Sequence, residues 1–234
     1  NLTGQASARE VIFMTGTVKE RIRLAYERQG SAVWLGHLDM MRLFERAFSR
    51  ANWPLSWTED AFNPRPEIVF ALPVAVGIET RSDPLEVSLH QDQADFDLEE
   101  GLAALNRTLP QGVRIVSSLK LEDVRGSLMA KVRAARYQLE APGIGEAFRA
   151  VFKEGQPVLV TRIHKRKKQT IDLTPRLISL DDWDHDRLVF TGGAGSTGHL
   201  RLDLLLEALV QYGGLDQEAA QGARIVRLAV LLDP

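Results

Sequence analysis

What most restricts the fold of this chain is the order in which two hydrophobic periods follow one another. Ile22, Leu24 and Tyr26 alternate with charged residues, the period-two pattern of a half-buried strand. From Leu38 the apolar residues Met41, Phe44, Ala47 and Phe48 fall at helical spacing, and Pro54 closes that helix because it has no N–H to continue the ladder. Pro54–Thr58 then reads as a short strand, Phe62–Pro66 as a turn, and Glu67–Leu72 as a further extended segment. Leu85, Val87 and Leu89 alternate again. Asp97 with Glu100 forms a capping-box pattern ahead of Leu98, Leu102, Leu105 and Leu109, after which Val113–Leu121 returns to strand spacing. The order approximates βαββαβ.

A similar succession recurs after Lys131. Strand patterns at Tyr137–Glu140, Val158–Ile163, Thr170–Leu173, Leu188–Thr191 and Ala223–Leu232 are interleaved with helical patterns at Gly145–Lys153 and Leu200–Tyr212. The halves share no sequence identity, only this order. The expected class is therefore α+β: two tandem ferredoxin-like (βαββαβ) units with mainly antiparallel sheets, spanning residues 18–122 and 131–234. Glu122–Lys131 is the expected join, and it reads equally as a surface segment of one mixed sheet.

The chain has no cysteine, which excludes disulfides, thiolate nucleophiles, zinc–thiolate sites and cysteine-ligated iron–sulfur clusters from its own side chains. Its histidines do not fall at metal-ligand spacing, so neither a metal nor a cofactor is expected. With 29 basic against 31 acidic residues the net charge is −2, so an anionic partner has to be attracted by a local patch. The longest apolar run is well short of the ~20 residues that span a bilayer, so no membrane segment is expected. Asn1–Thr17 lacks the basic, apolar and small-residue blocks of an export signal; the expected location is cytoplasmic.

Four stretches carry polar chemistry. At the start of the first helical pattern, Asp39 suits the positive helix end and His37 can act as acid, base or phosphate donor, or pack structurally. In Phe62-Asn63-Pro64-Arg65-Pro66 the prolines hold Arg65 in a rigid projection that can clamp a phosphate or carboxylate; a stiff turn with Asn63 satisfying its own backbone reads equally well. His164, Lys165, Arg166, Lys167 and Lys168 sit between two strand patterns with Asp172 nearby, either a finger for nucleic-acid phosphates or a solvated hairpin tip. Thr191–Gly198, which contains Ser196, leads into the last helix with His199 and Arg201; it lacks a nucleotide-binding fingerprint and reads best as a flexible loop. Trp34, Trp53 and Trp57 flank the first helix, with core packing expected and base stacking open to any that are exposed.

Together these residues resemble the radical-SAM-linked protein family, a bacterial domain of unknown function encoded beside or fused to cobalamin-binding radical SAM proteins, often near ribonuclease G-type genes. The resemblance runs from about Arg21 and rests on Gly36-His37-Leu38-Asp39 with Arg42 and Arg46-Ala47, and on Glu59 to Pro66. Leu72-Pro73 with Gly77, Ile171-Asp172-Leu173 with Pro175, Gly195-Ser196 with Arg201 and Asp203, and Arg227 complete it. Gly36, Ala61 and Leu202 depart from the family's usual Ser, Gly and Pro. The resemblance implies a companion module, since a chain without cysteine cannot supply a radical SAM cluster. The expected function is a non-catalytic accessory protein that binds structured RNA, or presents substrate to a radical SAM protein, through Arg65, Arg201 and the Lys165–Lys168 tip. Two alternatives are a metal-independent endoribonuclease using His37, and a protein-interaction scaffold anchored by Phe62 and exposed tryptophans.

Overall fold

A computed structural model describes residues 20–58, 62–90, 96–122, 126–153, 156–164, 167–195 and 198–233. The opening alternation becomes β1 (Arg21–Arg28), whose inward positions are Ile22, Leu24, Tyr26 and also Arg28, a charged residue in an apolar slot. Its antiparallel neighbours are β3 (Ile78–Ser88) and β4 (Val113–Leu121). Between β1 and β3 come α1 (His37–Arg50) and the short β2 (Ile68–Phe70), which pairs with Leu85–Val87 of β3. α1 buries Met40, Phe44, Ala47 and Phe48. Its chain then turns through Asn52 at φ +53°, a left-handed residue of the kind that ends helices. α2 (Leu98–Thr108) starts where expected, with Asp97 Oδ1 accepting the Glu100 N–H at 3.0 Å.

The second half supplies β5 (Val132–Glu140), α3 (Ile144–Val151), β6 (Leu159–His164), β7 (Lys167–Asp172) and β8 (Leu177–Trp183). It continues through β9 (Arg187–Gly193), α4 (Leu202–Gly213), α5 (Gln217–Gln221) and β10 (Arg224–Leu232). One sheet runs β4-β1-β3-β10-β5-β9-β8, with β2 beside β3. Its named pairings are antiparallel except at the seam, where Ile225–Arg227 of β10 lies parallel to Ile78–Thr80 of β3. The α+β class with a mainly antiparallel sheet is thus as expected. β6 and β7 instead form a separate two-stranded hairpin, and the place beside β9 belongs to β8. That strand has no fully buried position and carries Asp181 and Asp182, so it shows no period-two signal. The strand expected at Pro54–Thr58 reduces to isolated bridges at Leu55 and Trp57.

Two apolar cores form, one on each side of the seam. In the first, Phe44, Tyr26 and Phe70 pack edge to face around Leu24 and Leu85, with Phe48 tilted against Phe44. Trp53 Nε1 ties this core together by donating to the Gly101 carbonyl of α2 at 2.8 Å. In the second, Phe148, Phe190 and Leu205 pack with Leu139 and Leu209. Each such fully buried side chain contributes about 1.5–3 kcal/mol. Gly192, Gly193 and Gly195 belong to this packing, and Ser196 and Thr197 of the same tract lie outside the described residues. A Cβ on Gly192 would meet Leu200 Cδ2 at 2.7 Å, one on Gly193 the Gly198 carbonyl at 2.3 Å, and one on Gly195 the Val132 carbonyl at 2.4 Å.

Candidate functional site

The outward face of α1 builds a cationic surface. Arg46 and Arg50, one helical turn apart, lie exposed with Ser49 beside a half-buried Glu45, and Arg50 Nε donates to the Arg46 carbonyl. Opposite them the chain closes a tight loop. The Thr58 N–H donates to the Arg65 carbonyl at 2.9 Å and the Arg65 N–H returns to Thr58 Oγ1 at 3.0 Å. Trp57 bridges to Pro66, and the Glu67 N–H reaches the Ser56 carbonyl. The two flanking prolines restrict the backbone around Arg65, so the guanidinium projects from a stiff turn. Helix face and loop enclose an open groove of about 680 Å³, in which, among the described residues, Arg46, Arg50 and Arg65 stand against Glu45, beside Trp57 at 56% exposure. The exposed Arg65 lies 4.0 Å from the half-buried Glu45, a long pair that contributes little. Beyond Arg65 and Pro66 lies a second cavity of about 450 Å³ with the opposite balance: Glu45, Glu67 and Glu86 against Arg21 and Arg65.

A third cavity, also of about 450 Å³, opens at the seam between β3 and β10. Behind it a polar row crosses the sheet. Arg28 pairs with Thr80, Thr80 with Arg227, and Arg227 with Tyr137, so that all four share one face. Arg227 forms a bidentate ion pair with Asp83, Nε to Oδ1 at 3.0 Å and Nη2 to Oδ2, and donates to the Leu72 and Pro73 carbonyls at 3.0 and 3.2 Å. Arg28 donates to the carbonyls of Leu35, Ala75 and Ile78. Two buried guanidiniums therefore hold the 72–78 loop by four of its carbonyls. Burial disfavours the Arg227 cation, but the Asp83 carboxylate more than offsets this and holds its pKa above the usual guanidinium range. Burial, with Asp83 alongside, pushes the Tyr26 phenol far up. At the cavity mouth, Arg201 pairs with Asp203 at the start of α4, and Arg176 donates to the His199 carbonyl at 2.7 Å. Burial, together with the Arg176 and Arg227 charges, lowers the His199 imidazole below its ordinary value.

The residues named from sequence are distributed between these places. Arg65 lines the groove, Arg201 lines the seam cavity, and His37 lines neither; its ring packs edge-on to Phe70 at 5.7 Å. No described cavity contains two of the three. Asp39 lies in the first turn of α1 and faces Arg42 at 3.9 Å. Asn63 is exposed in the turn, Lys168 is exposed on β7, and Asp172 Oδ1 accepts the Thr174 N–H at 2.9 Å. The hairpin pairs His164 with Lys167. Lys165, Arg166 and Ser196 lie outside the described residues, as do the side chains of His164 and Lys167. Of the tryptophans, Trp53 is core, whereas Trp34 and Trp57 are exposed, contrary to the expectation of core packing. Sequence reasoning passed over Arg50, Arg28, Asp83 and Tyr137. Arg28 alone carried a signal, as a charge in phase with Ile22, Leu24 and Tyr26.

Among the described residues no cluster of acidic residues and histidines is arranged to hold a metal ion, and no helix is long and apolar enough to cross a membrane. An α+β domain with two polar cavities and a cationic groove is the class that fold and site define. Residues 21–202 match the family DUF2344, described as an uncharacterized protein conserved in bacteria, and the chain belongs to it. The match ends at the start of α4, so β10 and Arg227 lie beyond it. No curated protein matches the chain.

Proposed function

We propose that this protein is an RNA-binding accessory module that performs no chemistry itself, and that the groove beside α1 takes an unpaired segment of a structured RNA. The observation that carries this reading is the charge of the groove, three arginines against one glutamate among the described residues of a chain of net charge −2, beside a half-exposed indole. Guanidiniums at that spacing neutralise successive phosphates, and an exposed indole stacks on a base of any sequence. The acidic cavity across Arg65 repels the same backbone and confines the strand to the α1 side. Phe62, 99% exposed at the tip of the same turn, supplies a further aromatic face. Lys168, exposed on β7, is a further cation in the second half.

The scaffold reads as two ferredoxin-like units, residues 18–122 and 131–234. The order β4-β1-β3-β2 in one half and β10-β5-β9-β8 in the other supports this, with the β6–β7 hairpin as an insertion. The resemblance to the radical-SAM-linked family, carried by the motifs at Gly36–Asp39, Leu72-Pro73 and Arg201, supports a radical SAM protein as the catalytic partner, and the location expected for the pair is cytoplasmic.

Fluorescence anisotropy with a labelled stem-loop RNA, repeated over a range of salt, tests the reading. Single-stranded contacts give a slope of log affinity against log salt near −0.7 per phosphate, so the triple variant R46E/R50E/R65E should lower the slope by about 2 and weaken binding at every salt. An unchanged slope with unchanged affinity would remove the groove from the interface.

A further inference from the structure

The seam cavity has features that the groove reading does not use. It is lined on one side by Pro73, Val76 and Ile225 and on the other by the first turns of α4, and its volume of about 450 Å³ falls within the range of small-ligand sites. Its polar wall is buried and saturated from behind. Tyr137 is 4% exposed, lines the cavity and stands beside Arg227 on the neighbouring strand. Arg227 commits its donors to Asp83, Leu72 and Pro73. Among the described residues no acceptor engages the Tyr137 hydroxyl, so its proton faces the cavity wall free to donate. The charges behind the wall do not cancel. Arg28 and Arg227 face the single carboxylate of Asp83, while Arg201 and Asp203 neutralise one another at the mouth. Arg176 adds a further cation beside His199. Inside the same polar row, Thr80 Oγ1 is buried with no hydrogen-bond partner.

We propose that this cavity binds a small organic anion, its carboxylate or phosphate head held by the Tyr137 hydroxyl and His199 and its apolar body lying along Leu206 and Ile225. A free donor on a low-dielectric wall with an excess cation behind it favours an anionic acceptor over a neutral one. The apolar lining of Leu202, Leu206, Ile225 and Val76 suits a body larger than an inorganic ion. The site is separate from the arginine groove, so it stands or falls independently of RNA binding.

The experiment is a titration of the full chain followed by NMR at the His199 imidazole and the leucine methyls. Benzoate and inorganic phosphate serve as probes of the two head groups, with benzyl alcohol as the uncharged control. Saturable shifts at His199 and Leu206 with benzoate, phosphate or both are expected, and the probe that binds more tightly identifies the head. Y137F should weaken that binding at least about tenfold, the loss of one hydrogen bond to a charged group. V76W places bulk at an exposed position of the cavity mouth, leaves the buried row intact, and should abolish binding while the protein still unfolds at the wild-type temperature. If Y137F fails to fold, V76W decides alone. Absence of saturable shifts with either anion, equal binding of benzyl alcohol, or binding untouched by V76W would each overturn the proposal.

Discussion

Arg227→Met removes one end of an ion pair whose partner cannot reach water. The side chains of Arg227 and Asp83 are 3% and 2% exposed, so the substitution leaves a buried carboxylate that has lost both guanidinium donors. Breaking a buried pair from one side costs about 3–5 kcal/mol. The Leu72 and Pro73 carbonyls also lose their donor, but Pro73 lines the seam cavity, where water can replace it. With a urea m-value of roughly 3 kcal/mol/M, the unfolding midpoint should fall by about 1–1.7 M. R227M/D83N removes the stranded charge as well and should recover much of that loss, because the cost is the unpaired ion rather than the absent contact. The pH dependence has a definite sign. Burial already raises the Asp83 carboxyl, and without Arg227 nothing of comparable strength opposes it. A carboxyl raised in the folded state favours folding most below its unfolded value of about 3.9 and loses that advantage as pH rises through the folded value. The R227M deficit is therefore largest near neutrality and narrows on acidification. A loss below about 1 kcal/mol, or a double variant as unstable as the sum of the singles, would refute the reasoning.

Trp57→Ala should weaken RNA binding by about 1–3 kcal/mol, the worth of one stacked base, while the salt slope measured by anisotropy stays unchanged. Asp97→Ala removes the side-chain acceptor at the start of α2 and should cost about 1 kcal/mol in urea unfolding with no effect on either ligand site.

Much of the first half was legible because its elements obey simple periods. β4 occupies Val113–Leu121 as read, and the Asp97 cap is where the capping-box pattern put it. The second half was harder for two physical reasons. β8 is an edge strand with a polar face, so it buries too little to show a period, and the β6–β7 run carries a strand pattern without belonging to the main sheet. The close packing of Gly192, Gly193 and Gly195 was not legible because a glycine needed for close backbone approach has the same letter as one in a loose loop. At the candidate site, Arg65 stood out through its prolines, whereas Arg46 and Arg50 look like any solvent-facing helical charges until the Trp57–Pro66 loop folds opposite them. Arg227 and Asp83 lie 144 residues apart and take no part in a local pattern. Only the parallel seam of β3 with β10 brings their strands together.

Photo-crosslinking reads directly where RNA lies on the surface. A stem-loop RNA with 4-thiouridine in its unpaired segment, irradiated with the full chain and mapped by mass spectrometry, should attach within residues 57–65 and the outer face of α1. Attachment confined to the β6–β7 hairpin, or none at concentrations that saturate anisotropy, would contradict the account.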